Sequence, residues 1–190
     1  MSSERRNVLR AGLGAALVCL VPARAAAQNK DGDPHNLRPQ EGDRLVFADG
    51  ERKGKPVAPD DLPLGGPPAI AYPQDPASGI VRDATHLNQV MLIRLAAADL
   101  AEASRARAPE GVIGYSAVCP HAGCFDWGWE GEKKMLRCPC HESIFDAKDD
   151  ARVVDGPAPR RLARLPLKVV DGVLVAAGGF VGRVGFQPTG

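Results

Sequence analysis

Hydrophobic positions change character three times along the chain. Residues 11–21 form one apolar run flanked by arginines. Residues 28–89 show no period; short islands, Leu45-Val46-Phe47 and Ala69-Ile70-Ala71-Tyr72, sit between prolines and charges. From residue 90 onward the pattern is strand-like. Residues 90–95 read as a buried strand, being β-branched or apolar up to Arg94. Residues 98–107 predict a short helix of about two to three turns, stopped before Pro109. Residues 112–118, 134–137 and 152–154 predict further strands, and Gly156-Pro157-Ala158-Pro159 forces a turn. Residues 167–170 and 173–175, joined by Asp171-Gly172, are the clearest hairpin. The expected fold class is all-β: a small antiparallel β barrel or sandwich with a loop-built site over 90–190.

Composition supports that expectation for the back of the chain and changes it for the front. Gly 21 and Pro 17 in 190 residues favour turns and irregular backbone. Nine of the prolines lie in 28–89, where fixed φ and missing N–H donors argue against long helices and central strands. That segment is expected as a proline-rich, extended arm docked by its apolar islands, with one short strand at residues 45–47. Charge excludes one class of partner. With Lys+Arg 24 against Asp+Glu 23 the chain lacks the basic face of a nucleic-acid binder.

The first 27 residues have the layout of an export signal. Arg5-Arg6 precedes the apolar run, and Ala25-Ala26-Ala27 offers small residues for cleavage. Eleven apolar residues are too few to span a bilayer, which takes about 20, and Pro22 and Arg24 interrupt them. The arginine pair fits the twin-arginine route to the periplasm; an uncleaved run would leave a membrane anchor instead. Cleavage after Ala27 would take Cys19 away and leave four cysteines, all between Cys119 and Cys140. An even number in an exported chain invites a disulfide.

The candidate chemistry lies in Cys119-Pro120-His121-Ala122-Gly123-Cys124 and Cys138-Pro139-Cys140-His141-Glu142-Ser143. Two thiolates and two imidazoles can hold zinc tetrahedrally. They can also hold a [2Fe–2S] cluster with cysteine on one iron and histidine on the other. The C-x-H spacing, which lets one loop feed both irons, favours the cluster. Zinc modules more often pair like ligands, and zinc has no use for Cys124 and Cys140. A zinc-stabilised binding module stays open as the remote alternative.

These motifs, C-x-H-x-x-C and C-x-C-H-x-S, closely resemble those of high-potential Rieske proteins over roughly residues 112–175. Such proteins are the electron-transfer subunits of ubiquinol–cytochrome c reductase and of periplasmic arsenite oxidase. The resemblance implies that Cys119 and Cys138 ligate one iron and His121 and His141 the other, within cluster-binding loops 119–124 and 138–143. It implies that Cys124 and Cys140 form a disulfide tying the loops together. It implies that Ser143 donates a hydrogen bond towards cluster sulfur, and that Gly156-Pro157-Ala158-Pro159 is the proline loop covering the cluster. Replacing thiolates by neutral imidazoles removes negative charge from the cluster and raises its potential.

One position departs from the quinol-oxidising pattern. Where that family usually carries a tyrosine, this chain has Phe145, which implies one hydrogen-bond donor fewer and a lower potential. Phe145, the cleaved-signal layout and the tail after the last strand lean towards an arsenite-oxidase-like subunit; the proline loop leans towards the quinol family. Either way the chain is expected to carry single electrons rather than to catalyse alone. The first reading docks it on a larger catalytic oxidoreductase subunit, with a c-type cytochrome or cupredoxin as acceptor. The second docks it on cytochrome b, with quinol at His141. Trp127 and Trp129 are expected to pack beneath the loops, and His35 and His86 to be surface or turn residues. Arg160, Arg161, Arg164 and Lys168 are expected as a docking patch or a solvated face.

Overall fold

A computed structural model describes residues 32–186, so the export-signal expectation for 1–27 lies outside the described residues. The first strand, β1 (Arg44–Phe47), is the one expected in the proline-rich segment, and β2 (Ala69–Gln74) follows it. Then come β3 (Val90–Arg94), the single helical turn α1 (Glu102–Arg105) and β4 (Val112–Ser116). Four short strands follow: β5 (Gly128–Glu130), β6 (Met135–Cys138), β7 (Ser143–Asp146) and β8 (Arg152–Asp155). The last strands among the described residues are β9 (Arg164–Leu165), β10 (Leu167–Val170) and β11 (Val173–Ala176).

Among the described residues these strands form two antiparallel sheets. One has seven strands in the order β10-β11-β1-β2-β3-β4-β9; the other is the meander β5-β6-β7-β8. The edge strands of the large sheet, β9 and β10, are consecutive in sequence and separated only by Pro166. One continuous stretch of chain therefore borders both ends of the sheet, which curls it into a barrel and protects edges that would otherwise template pairing. The hairpin between β10 and β11 turns at Asp171 (φ 51°) and Gly172 (φ 78°), the two left-handed residues a two-residue turn needs.

The proline-rich segment is not a separate arm. β1 and β2 are inner strands of the large sheet, which corrects the expectation that proline keeps central strands out of 28–89. The reason is position. Pro73 lies opposite Leu45, beyond Ala71, the last residue of β2 paired with β3, and its carbonyl accepts from Arg82 N–H. Its missing donor falls where no ladder bond is needed. A buried, bidentate Arg82–Asp43 pair (2.7 and 2.9 Å) and Asn88, bonded to Leu37 and Arg82 carbonyls, seal this part to the barrel. The predicted helix over 98–107 shrinks to one turn because Ala96 to Asp99 already close a turn, and Ala101 N–H bonds Lys148 instead.

Two apolar clusters form the core. One fills the barrel with Leu45, Val57, Leu92, Val112, Leu165 and Leu174. The other joins the sheets: Met91, Ile93, Ile113 and Tyr115 from β3 and β4 pack with Leu136 and Phe145 from β6 and β7. Tyr115 is fully buried and donates to Ala147 C=O at 3.0 Å.

Candidate metal centre

Two matching turns build the site. After β4, the carbonyl of Cys119 accepts from Gly123 N–H at 3.0 Å, and Cys119 N–H donates to Cys124 C=O at 2.7 Å. At the end of β6, the carbonyl of Cys138 accepts from Glu142 N–H at 3.0 Å. The second turn is the end of a hairpin, because Cys138 pairs with Ser143 of β7. Glu142 takes φ 59° to close it. Each turn thus presents a cysteine at its base and a histidine further out.

The turns converge. Cys124 and Cys140 are joined by a disulfide, as the resemblance implied. The sulfurs of Cys124, Cys138 and Cys140 all lie within 4.8 Å of one another. Cys119 and Cys138 are free thiols, each 1% exposed, and their sulfurs interact. Burial pushes the Cys119 thiol up to about 11, against the pull of the His121 and Ala122 backbone N–H groups. The imidazoles of His121 and His141 meet edge to face, 4.6 Å between centroids. His121 Nδ1 is buried and has no hydrogen-bond partner. A buried nitrogen without a partner is costly unless something takes its lone pair.

The surroundings hold the turns in place. Ser143, fully buried, accepts from Ala158 N–H at 3.1 Å, which leaves its own proton free to donate. Gly156 has φ 85°; a Cβ there would lie 2.5 Å from Ser143 Cα and 2.7 Å from the Glu142 carbonyl. The Gly156–Pro157 loop is thus pressed onto the second cluster turn, with Pro157 exposed. Phe145 is fully buried, and Trp127 meets it edge to face at 5.6 Å while donating to Ala117 C=O at 2.8 Å. Trp129 donates to Gly65 C=O at 3.2 Å, anchoring the small sheet to the chain before β2.

The remaining candidates divide. His35 is exposed; its Nδ1 is 2.7 Å from Val81 C=O and 3.2 Å from Asp83. The Val81 carbonyl, then the Asp83 carboxylate, raises its pKa above the ordinary 6.5. His86 is exposed and stacks on Phe125 at 4.2 Å. The basic stretch is largely engaged within the chain: Arg161 and Arg164 bond Asp150, Lys168 bonds Glu41 and Arg160 bonds the Gly185 carbonyl. Two supports escape sequence reasoning. The Ala158 amide is backbone and leaves no motif. The tail around Gly185 packs on Val118 and Leu87, and Phe186 approaches Gly123, contacts made only by the fold.

The donor set fits a group that takes two thiolates and two imidazoles, and the unpartnered His121 Nδ1 is the observation that asks for one. The Rieske [2Fe–2S] domain family matches residues 97–166. The cytochrome bc1 complex Rieske iron–sulfur subunit of Mycobacterium tuberculosis is 33% identical over 160 residues, covering 74% of this chain and 37% of that one. The subunit of the same name from Streptomyces lividans is 44% identical over 77 residues, covering 40% of this chain and 45% of its own. The aligned parts therefore span less than half of either relative. Among solved structures, the soluble domain of Rieske protein II from Sulfolobus acidocaldarius has a TM-score of 0.37 at 19% identity, covering 82% of this chain and 86% of that one. The ferredoxin of carbazole 1,9a-dioxygenase from Nocardioides aromaticivorans has 0.43 at 18%, covering 64% and 93%.

Proposed function

Because this chain belongs to the Rieske family, carrying a Rieske [2Fe–2S] domain homologous to cytochrome bc1 Rieske subunits, we propose that it holds its cluster through Cys119, His121, Cys138 and His141 and passes single electrons. The observation that carries this is the convergence of two buried free thiols and two touching imidazoles on turns stapled by one disulfide. The cluster, when bound, supplies a one-electron couple at high potential.

The chain's own residues do the rest. Cys119 and Cys138 are buried at the turn bases, away from water, while His141 is exposed and is the side a partner could reach. The N–H groups of His121 and Ala122 direct positive dipoles at the Cys119 sulfur, and Ser143, whose oxygen accepts from Ala158 N–H, keeps its proton available to donate to cluster sulfur. Such donors stabilise added negative charge and raise a potential. The disulfide and the Gly156–Pro157 loop hold this geometry where little core is available.

The bc1-type assignment is supported by relatives of 33–44% identity, and places the chain against cytochrome b, with quinol as donor at His141. Phe145 favours a second reading. It is fully buried with no hydroxyl to offer, as in the arsenite-oxidase-like subunits the sequence resembles. There the partner is a larger catalytic chain and the acceptor a c-type cytochrome or cupredoxin. Both readings place the protein in the periplasm by twin-arginine export. Among the described residues no helix is long and apolar enough to cross a membrane. An N-terminus near Gln28 in the purified protein supports cleavage; a retained Met1 supports an anchor.

The deciding measurement is an electron paramagnetic resonance spectrum of the ascorbate-reduced protein. A rhombic signal with average g below the free-electron value is expected. Silence with ascorbate but signal with dithionite would demote the high potential. Silence with both, with zinc in the metal analysis, would overturn the function. Co-purification with cytochrome b separates the two partner readings.

A further inference from the structure

The ligand thiol of Cys138 does not stand apart from the disulfide. Its sulfur lies within 4.8 Å of both Cys124 and Cys140 sulfurs, and it is free and buried. We propose that the bound cluster guards this disulfide, and that a chain which loses its cluster rearranges by thiol–disulfide exchange into a form that cannot be reloaded. This rests on Cys138 being a cluster ligand. The step needs no oxidant. Cys138 gives its proton to water and its sulfur attacks Cys124; the Cys124–Cys138 bond forms as the Cys124–Cys140 bond breaks, and the Cys140 thiolate takes a proton from water. One disulfide and two free thiols exist before and after.

Burial sets the direction. Cys140 is exposed while Cys124 is half-buried, so Cys140 is the sulfur that water can solvate as it leaves. Attack on Cys140 instead would close a ring across Cys138-Pro139-Cys140 and abolish the staple between the turns. Exchange at Cys124 keeps a staple between the same two turns, so the fold tolerates the product. The ligand set does not: Cys138 becomes a disulfide sulfur, and the exposed Cys140 thiol replaces it. Coordination to iron would engage the Cys138 thiolate as a ligand and lower its nucleophilicity, and so would protect the disulfide from attack. Cluster loss would therefore be locked in within the chain, and reversed only by an added thiol.

The test uses the full chain with Cys19→Ser, so that four cysteines remain. Loaded protein is stripped by a chelator under native conditions, incubated, quenched in acid, alkylated after unfolding, and mapped by peptide mass spectrometry. In stripped protein the alkylated position is expected to shift from Cys138 to Cys140, with Cys119 alkylated throughout and a Cys124–Cys138 peptide pair appearing. A dithiol reductant followed by iron and sulfide should then restore the visible absorbance. Persistence of Cys124–Cys140 with Cys138 alkylated in the stripped chain would overturn the proposal. So would the mixture of pairings that the same protein gives in guanidinium, since that reflects unfolding rather than a directed exchange. Cys138→Ser must retain Cys124–Cys140 throughout. In the loaded protein, alkylation of Cys138 under native conditions would instead overturn the ligand assignment on which the proposal rests.

Discussion

The two sheets of this protein are held together by different means. In the barrel, β3 and β4 are buried almost end to end, and Leu45, Leu92 and Leu174 have no exposed surface. In the small sheet, β5 is half-buried throughout and β8 is largely exposed. It is held by the disulfide, by Trp127 against Phe145, and by Leu136 and Phe145 packed into the cluster shared with β3 and β4, while the ion pairs of Arg137 with Glu130 and Glu142 lie at its surface. Exposed ion pairs contribute little. The site thus sits in the part of the molecule with the least core of its own, propped against the part with the most. That arrangement leaves His141 exposed at the tip while the barrel keeps the turns in position.

The contrast predicts different failures for the two regions. Leu92→Ala empties a fully buried barrel position and should cost about 4 kcal/mol of global stability, read as a lower midpoint in denaturant with the cluster lost only as the whole chain unfolds. Cys124→Ser removes a bridge spanning 16 residues, worth about 3 kcal/mol in the chain-entropy account. Its loss should appear first as bleaching of the visible absorbance, with far-ultraviolet circular dichroism of the barrel retained. Simultaneous loss of both signals would show that the sheets unfold as one unit.

A paired glycine test sharpens the comparison. Gly156 and Gly172 have nearly the same φ, 85° and 78°, but a Cβ at Gly156 meets Ser143 at 2.5 Å whereas Gly172 has nothing within 4 Å. Gly172→Ala should cost about 1 kcal/mol from backbone strain alone, and Gly156→Ala about 3 kcal/mol once the clash is added, expressed as cluster lability. Equal effects would dissolve the link between the proline loop and the site. Phe145→Tyr should raise the potential by about 40 mV, one hydrogen bond of about 1 kcal/mol on a one-electron couple; an unchanged potential in redox titration would remove the missing-donor argument.

The smallest effect belongs to the barrel side. His35 binds its proton more tightly in the folded protein, chiefly because the Val81 carbonyl accepts from it and Asp83 stands beside it. A raised folded value means that this stabilisation is complete below the ordinary 6.5 and is lost as pH rises through the folded value. The melting temperature of the native protein relative to His35→Asn should therefore be higher at acid pH and converge with it at alkaline pH. A difference independent of pH would assign His35 a packing role only.

The sequence by itself determined the chemistry and the local turns. The candidate donors stand in two short motifs, legible because one turn brings a cysteine and a histidine together when they are neighbours in sequence, and the resemblance those motifs carry is what separates four proposed ligands from two extra cysteines. The Asp171-Gly172 hairpin, the strands at 90 and 112, and the break at Gly156-Pro157 are legible for the same local reason: period, β-branching and φ restriction act within a few residues. The tertiary structure decided the rest. Whether proline excludes a strand depends on which side of Pro73 lacks a neighbour, and only the ladder tells. Closure of the barrel through Pro166, the bond from Ala158 to Ser143, and the approach of Phe186 to Gly123 join residues apart in the chain, so no local pattern encodes them. The resemblance named the disulfide partners, but the nearness of Cys138 to that disulfide is a distance between two turns, and distances across turns exist only once the chain has folded.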